Sequence, residues 1–480
     1  MKKSVKKNFI YNIIYQIVIL IVPLITTPYL SRVLGAAGVG TYSYIYSIVT
    51  YFVLFGSLGV AMYGQREIAY LQDNVEKRSK VFIEIVLLRF VTMFISLLIY
   101  FFIFGRSGDS ALFYKLFMLE IISNMFDISW FFQGMEDFKK TVIRNIIIKL
   151  IGIVGIFTLV KTSNDLWIYI VIYTLSNLFG NISLWFYLPR YTIKVKLKDI
   201  NLLKHLRPTI SLFIPQIAMQ IYTVLDKTMI GLLLNDMNEV GYYEQSQKIV
   251  KMALAIVTAF GTVMAPRIAN AVSNKKINEV KENLYSSFNV VWFLGVAITF
   301  GLIGISKNLV PWFFGEGYNN VIYLIMILAP LNLAIGLNNV SGVQYLIQVK
   351  KQNIFSYTVI AGAILNFSLN LVGIKMFKAY GAAIASVLSE ILILLLQLVY
   401  MKKKDNFKIF PIFKMSLKYL ISGIIMFIVV FILGKYLSSN MFSTAIQIVV
   451  GGITYIIMLL LIKDEFVRKI LNQIIKKIKH

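Results

Sequence analysis

Apolar runs of roughly 18 to 24 residues recur along this chain, separated by short stretches rich in charge, Gly, Pro or Asn. About 20 apolar residues make a helix long enough to cross the hydrocarbon of a bilayer, about 30 Å thick. A water-soluble core has no use for so many such runs, so their repetition fixes the solvent before any motif is read. Charged residues make up 15% of the 480 residues, where a soluble chain carries roughly 25%. The period-2 alternation of a membrane β-barrel is absent. The sequence therefore predicts an all-α polytopic membrane protein.

Fourteen spans are expected, at about 9–31, 38–63, 81–104, 111–133, 142–161, 166–188, 208–233, 241–265, 284–305, 321–342, 355–375, 381–400, 414–437 and 443–463. The first follows Lys2, Lys3, Lys6 and Lys7 like a signal peptide, but it is too long for one and holds Pro23 and Pro28, so it reads as a retained span. Basic residues orient the rest. With the N-terminus inside, 36 of the 48 Lys and Arg fall in cytoplasmic segments and seven outside. The five left to the membrane are Arg32, Arg89, Lys227, Lys248 and Lys251. Both termini are thus expected on the cytoplasmic side, and the net charge of +26 is explained by anionic lipid headgroups rather than nucleic acid. The ending "KILNQIIKKIKH" reads as an amphipathic helix on that surface.

The chain also repeats. "GAAGVGTYSYIYSIV" (Gly35 to Val49) echoes "MNEVGYYEQSQKIV" (Met237 to Val250), aligning Val39-Gly40 with Val240-Gly241. Six spans, a basic loop and six more spans give parallel repeats, two lobes related by a pseudo-twofold axis along the membrane normal, with two extra C-terminal helices. The domains expected are 1–206, 207–400 and 401–480.

A charge near the bilayer centre costs about 2.5–3.5 kcal/mol on insertion scales, so it faces a partner or an aqueous cavity. Lys248 and Lys251 share one face of the eighth span, with Glu244 placed to pair with Lys248. The aligned positions of the first copy are Ser43, Ser47 and Thr50. Arg89 lies too deep in its span to reach the surface and needs a partner from another helix or a ligand. Arg32 reads as a cavity residue or an interfacial anchor. Substrate-binding candidates are therefore Arg32, Arg89, Lys248 and Lys251. Asp226, Lys227, Glu244 and Asp127 are read as coupling or structural charges, and Glu120 and Glu390 as packing residues. Pro23, Pro28, Pro215 and Pro330 are expected to kink their spans. The chain has no Cys, and its His are His205 and His480, so no metal site is expected. There is no GxxxxGK[ST] loop. No catalytic residue and no cofactor is predicted, leaving H+ or Na+ as the coupling agent to consider.

"PYLSRVLGAAGVGTYSY", "WFFQGMEDFKK", "LDKTMIGLLLNDMNEVGYYEQSQKIV", "PWFFGEGY" and "QYLIQVKKQN" together resemble the Wzx-type polysaccharide flippases of the multidrug/oligosaccharidyl-lipid/polysaccharide exporter superfamily. The resemblance implies transfer of undecaprenyl-pyrophosphate-linked oligosaccharide units from the inner to the outer leaflet of a bacterial cytoplasmic membrane. It implies membrane lipids as surroundings, and a polysaccharide polymerase and assembly machinery as partners. Under it, the cations above would meet the pyrophosphate, and Tyr42, Tyr44, Tyr46, Tyr242 and Tyr243 would stack on sugars. The alternatives are a lipid II flippase, a cation-coupled drug exporter of the same superfamily, and a membrane-embedded transferase or scaffold of glycan assembly.

Overall fold

The structure is a computed structural model, and it describes residues 5–105, 108, 110–196, 198, 200–405 and 407–478. All regular structure among them is helical. Two compact units divide the chain, Met1–Gly231 and Leu232–His480.

The first unit contains α1 (Val5–Ser57), α2 (Val60–Tyr70), α3 (Val75–Phe104), α4 (Ala111–Met125), α5 (Ser129–Gly134), α6 (Phe138–Leu159), α7 (Leu166–Trp185) and most of α8 (Leu203–Leu234). The second contains α9 (Met237–Ser273), α10 (Ile277–Phe314), α11 (Asn319–Leu328), α12 (Leu331–Asn338) with a π-helical continuation to Leu346, α13 (Gln352–Phe377), α14 (Ala379–Asp405), α15 (Phe410–Tyr436), α16 (Met441–Leu461) and α17 (Glu465–Ile478).

Eleven helical stretches among the described residues are long and apolar enough to cross a membrane. One of these is α1, which holds two of the predicted spans; α4 with α5, and α8, occupy the other two. The fourteen-span reading and the terminal amphipathic helix thus both find their helices. The kink positions differ in part. Helix α1 runs through Pro23 and Pro28 and breaks at Gly35, whose φ of 66° lies in the left-handed region that a side chain disfavours. Asn235, with φ 52°, lies just before α9, so a left-handed residue stands at or just before the start of each copy of the sequence repeat. Pro330 does separate α11 from α12. The side chain of Pro215 lies outside the described residues.

Small residues let α13 and α14 of the second unit approach closely. A Cβ at Gly381 would overlap the backbone carbonyl of Gly373 across α13 and α14, whereas a Cβ at Gly373 would meet Gly381 at an ordinary 3.4 Å. Gly381→Ala is therefore expected to force the pair apart at a cost of about 1–3 kcal/mol, while Gly373→Ala stays neutral or stabilises by up to about 1 kcal/mol through helix propensity. Melting curves of the two purified variants in one detergent test this; equal losses would refute the asymmetry.

On the first unit, the segment after α7 is fastened to α3. Arg78 donates to the Tyr191 carbonyl, Ser79 Oγ accepts from Ile193 N at 2.9 Å, and Glu84 accepts from Asn201 N at 2.9 Å. Glu84 is fully buried and also meets Lys204 at 2.6 Å and His205 Nε2 at 2.9 Å. The Tyr63 hydroxyl lies 2.8 Å from His205 Nδ1. A buried carboxylate is held this way because desolvation without such partners costs several kcal/mol.

Candidate functional site

In the first unit the polar side chains of α4, α6 and α7 converge on a small cavity of about 170 Å³. Glu120 sits on its α4 wall, 7% exposed, accepting from Asn124 Nδ2 at 3.2 Å and Asn177 Nδ2 at 3.0 Å. One turn along α7, Asn181 donates to the Ser123 carbonyl at 2.8 Å and accepts from Arg144 at 2.8 Å. Asn145 accepts from Arg144 Nε at 2.9 Å, and Lys149 completes the lining. Two cations, one carboxylate and four amides thus share a cavity inside the span of α6. Arg144 and Lys149 stand six and eleven residues beyond Phe138, about 9 and 16 Å along the helix. Such a set offers net positive charge for an anion and paired donors and acceptors for hydroxyls.

Counting by loops assigns Arg144 and Lys149 to the cytoplasmic total, yet both lie within span 142–161 and line this cavity. The i, i+4 pair Asn177 and Asn181 in "SNLFGN" was the available signal: two amides on one face of an otherwise apolar helix.

Arg89 is placed differently from the expectation of a ligand contact. Its residue is 3% exposed; Nε donates to the Asn124 carbonyl at 2.8 Å and its guanidinium meets Asp127 at 3.8 Å. Asp127 Oδ1 accepts from Ser129 N at 2.8 Å, turning the chain between α4 and α5. Arg89 thus closes the carbonyl end of α4, and the expected partner from another helix is Asp127. Arg32 is exposed in the last turn before the Gly35 break. Asp226 and Lys227 are both buried, at 4% and 7% exposure. In the stripe of the first repeat, Ser47 Oγ lies 2.7 Å from Thr228 Oγ1, which Tyr51 also reaches.

In the second unit Lys248 and Glu244 pair at 3.5 Å on α9, and Lys251 is exposed one turn on. The structure thus groups Glu244, Lys248 and Lys251 along one face, as their spacing predicts. Three of the tyrosines expected to stack on sugars have protein neighbours. Tyr42 packs against Tyr46, Phe117, Tyr169 and Tyr173. Tyr243 is fully buried with its hydroxyl 3.1 Å from Ser386, and Tyr242 packs on Tyr318. Glu390 is also clamped by an amide, accepting from Asn338 Nδ2 at 2.6 Å.

The deciding comparison concerns the chain as a whole. Residues 5–272, more than half of it, match the model of the polysaccharide biosynthesis protein family. The chain belongs to that family. It is a member of the Wzx-type flippases within the multidrug/oligosaccharidyl-lipid/polysaccharide exporter superfamily, as its motifs suggest. The lipid II flippase MurJ model matches residues 189–451 of the chain. Two curated relatives carry the description "Putative O-antigen transporter". The Escherichia coli (strain K12) protein is 26% identical over 84% of this chain and 97% of its own length; that of Shigella dysenteriae is 23% identical over 83% and 100%. Among solved structures, a lipid II flippase MurJ in an inward closed conformation superposes with a TM-score of 0.77 at 16% identity, covering 96% of this chain and all of the other. An inward-facing multidrug resistance MATE transporter gives 0.59 at 11% identity, over 86% of this chain and 98% of its own. At these identities the structures establish a shared fold for this family member. The chain is a multi-pass membrane protein.

Proposed function

We propose that this protein moves undecaprenyl-pyrophosphate-linked oligosaccharide units from the inner to the outer leaflet of a bacterial cytoplasmic membrane by alternating access, with both termini in the cytoplasm. It acts as a transporter in surface polysaccharide synthesis rather than as an enzyme. The observation that carries this is the family match over residues 5–272 in a chain whose relatives bear the name of O-antigen transporters. The chemistry agrees. A pyrophosphate faces a desolvation cost of order tens of kcal/mol in hydrocarbon, and cations within spans lower that barrier. Lys248 and Lys251 on α9, and Arg144 and Lys149 beside the α6–α7 amides, are the groups we assign to the anionic and hydroxyl parts of the substrate. Arg32 is retained as an entry contact; Arg89 is assigned a structural role.

A second reading, lipid II transfer, is favoured by the MurJ model over residues 189–451 and by the 0.77 superposition. Depleting the protein in its host and extracting lipid-linked sugars separates the two. Accumulation of completed oligosaccharide units accessible only from the cytoplasmic face is the expected result. Accumulation of the peptidoglycan precursor would establish the second reading instead. Unchanged pools with raised drug sensitivity would overturn both in favour of a drug exporter.

A further inference from the structure

Among the eleven span candidates in the described residues, α6 is the least buried: only 6% of its membrane window is covered, against 28–56% in the other ten. Its uncovered face is not a plain cylinder. With α7 it forms a groove with a volume of about 880 Å³. One wall is an isoleucine ridge at i, i+4 spacing, with Ile147 51% and Ile151 61% exposed, and Phe179 at 64% rims the other. The floor is made of small residues, including Gly155, Ser176 and Gly180, where the two helices come closest. Lined from Lys139 to Leu159, the groove follows 20 residues of α6, about 30 Å or the full hydrocarbon thickness.

The two ends differ in chemistry. The Leu159 end is apolar. The other end carries Lys139, Lys140, Arg144 and Asp137. Lys140 is committed: it donates to Tyr191 OH at 2.7 Å, pairs with Asp137 at 3.4 Å and rests over the rings of Phe132, Tyr187 and Tyr191. That arrangement consumes the one acid among the four; Lys139 is exposed, and Arg144, held by Asn145 and Asn181, brings its charge to the same end. Arg144 also lines the polar cavity of α4, α6 and α7, so the charged end of the groove adjoins the amide-lined site.

An apolar groove with one cationic end fits an amphiphile with an anionic head. Length selects among such molecules. A phospholipid acyl chain fills one leaflet, about half of 30 Å, whereas a long polyisoprenoid can follow the groove throughout. We infer that the α6–α7 groove seats the polyisoprenoid chain of the lipid carrier, with its phosphate at Lys139 and Arg144. This rests on the flippase reading above and adds to it a track for the carrier's tail that lies within the first unit alone.

The test uses the full-length protein in nanodiscs of zwitterionic lipid, with radiolabelled undecaprenyl phosphate as probe. Ile151→Trp and Ile147→Trp each fill the groove from its exposed ridge, so a folding defect in one leaves the other informative. Each is expected to weaken probe binding at least tenfold, with melting temperatures close to that of the unaltered protein. A photoreactive undecaprenyl phosphate should cross-link to α6 and α7. Binding changed less than twofold by both variants, or cross-links confined to other helices, would overturn the assignment. So would equal competition by phosphatidylglycerol, which would make the groove a general lipid contact, or by inorganic phosphate, which would leave an anion site only. The depletion experiment tells the two readings apart. No inward-facing intermediate on depletion removes the flippase reading and this inference together. Such an intermediate, alongside groove variants that bind and transport normally, removes the groove alone.

Discussion

Asp127→Asn is expected to destabilise the protein more than Arg89→Met does, although asparagine is the closer replacement. The two side chains form one ion pair at 3.8 Å, but their exposures differ, at 4% for arginine and 23% for aspartate. Asparagine keeps the oxygen that accepts from Ser129 N, so the turn between α4 and α5 survives. It leaves a guanidinium buried without its counter-charge, and removing one partner of a buried pair costs about 3–5 kcal/mol. Methionine removes the buried charge itself and keeps the length of the aliphatic stem. What remains is a partly exposed Asp127, still bonded to Ser129, and an Asn124 carbonyl that loses its donor, a loss of about 1–3 kcal/mol. Combining the two changes should return stability to near the Arg89→Met value, giving a coupling energy as large as the Asp127→Asn cost itself, about 3–5 kcal/mol. Thermal melts of the three variants in a single detergent decide this. If Arg89→Met proves the most damaging of the three, closure of the α4 carbonyl end outweighs charge compensation.

The second large effect is functional. Lys248→Ala combined with Lys251→Ala should reduce transport of lipid-linked oligosaccharide at least tenfold, with the fold intact, because both side chains stand on the accessible face of α9. A charge-assisted bond contributes about 1.5–3 kcal/mol, and each 1.4 kcal/mol is a factor of ten. Restoring charge with Lys248→Arg and Lys251→Arg should recover most of the activity. Lys248 shares its charge with Glu244 at 3.5 Å, so Glu244→Gln should leave more activity than either single alanine variant. Complementation of a depleted host, with membrane levels checked by immunoblot, reads all of these. Full complementation by the double alanine variant would exclude this face from the transport path and leave the α6–α7 cavity as the cationic site to test.

The spans were legible because hydrocarbon imposes one strong requirement, about 20 apolar residues closed on their own hydrogen bonds, and that requirement is written locally in sequence. Partners across helices are not. Arg89 and Asp127 are 38 residues apart, and only the packing of α3 on the α4–α5 turn joins them. The same holds for Glu84: its useful neighbours are Lys204 and His205, over a hundred residues later, rather than anything on its own helix. Proline drew attention to the wrong place in α1, since a helix can pass through Pro23 and Pro28 by giving up individual bonds, while Gly35 leaves the helical region altogether. Arg144 and Lys149 were hidden by arithmetic. Counting charges by loop assigns those near a span's basic end to water, whereas neighbouring amides can hold them inside.

The start of α17 is joined firmly to the spans before it. Lys418 of α15 pairs with Asp464, whose Oδ1 accepts from Val467 N at 2.8 Å; Val467 is 2% exposed, and Phe466 packs against Phe293 of α10 at 5.6 Å. A helix tied on by a loose strand would drift to whatever surface attracts it and transmit nothing. This one behaves as an oar fixed in its lock. Its first turn cannot swing away without breaking the Lys418–Asp464 pair and the Phe466–Phe293 contact, so where α10 and α15 go, the start of this helix goes too.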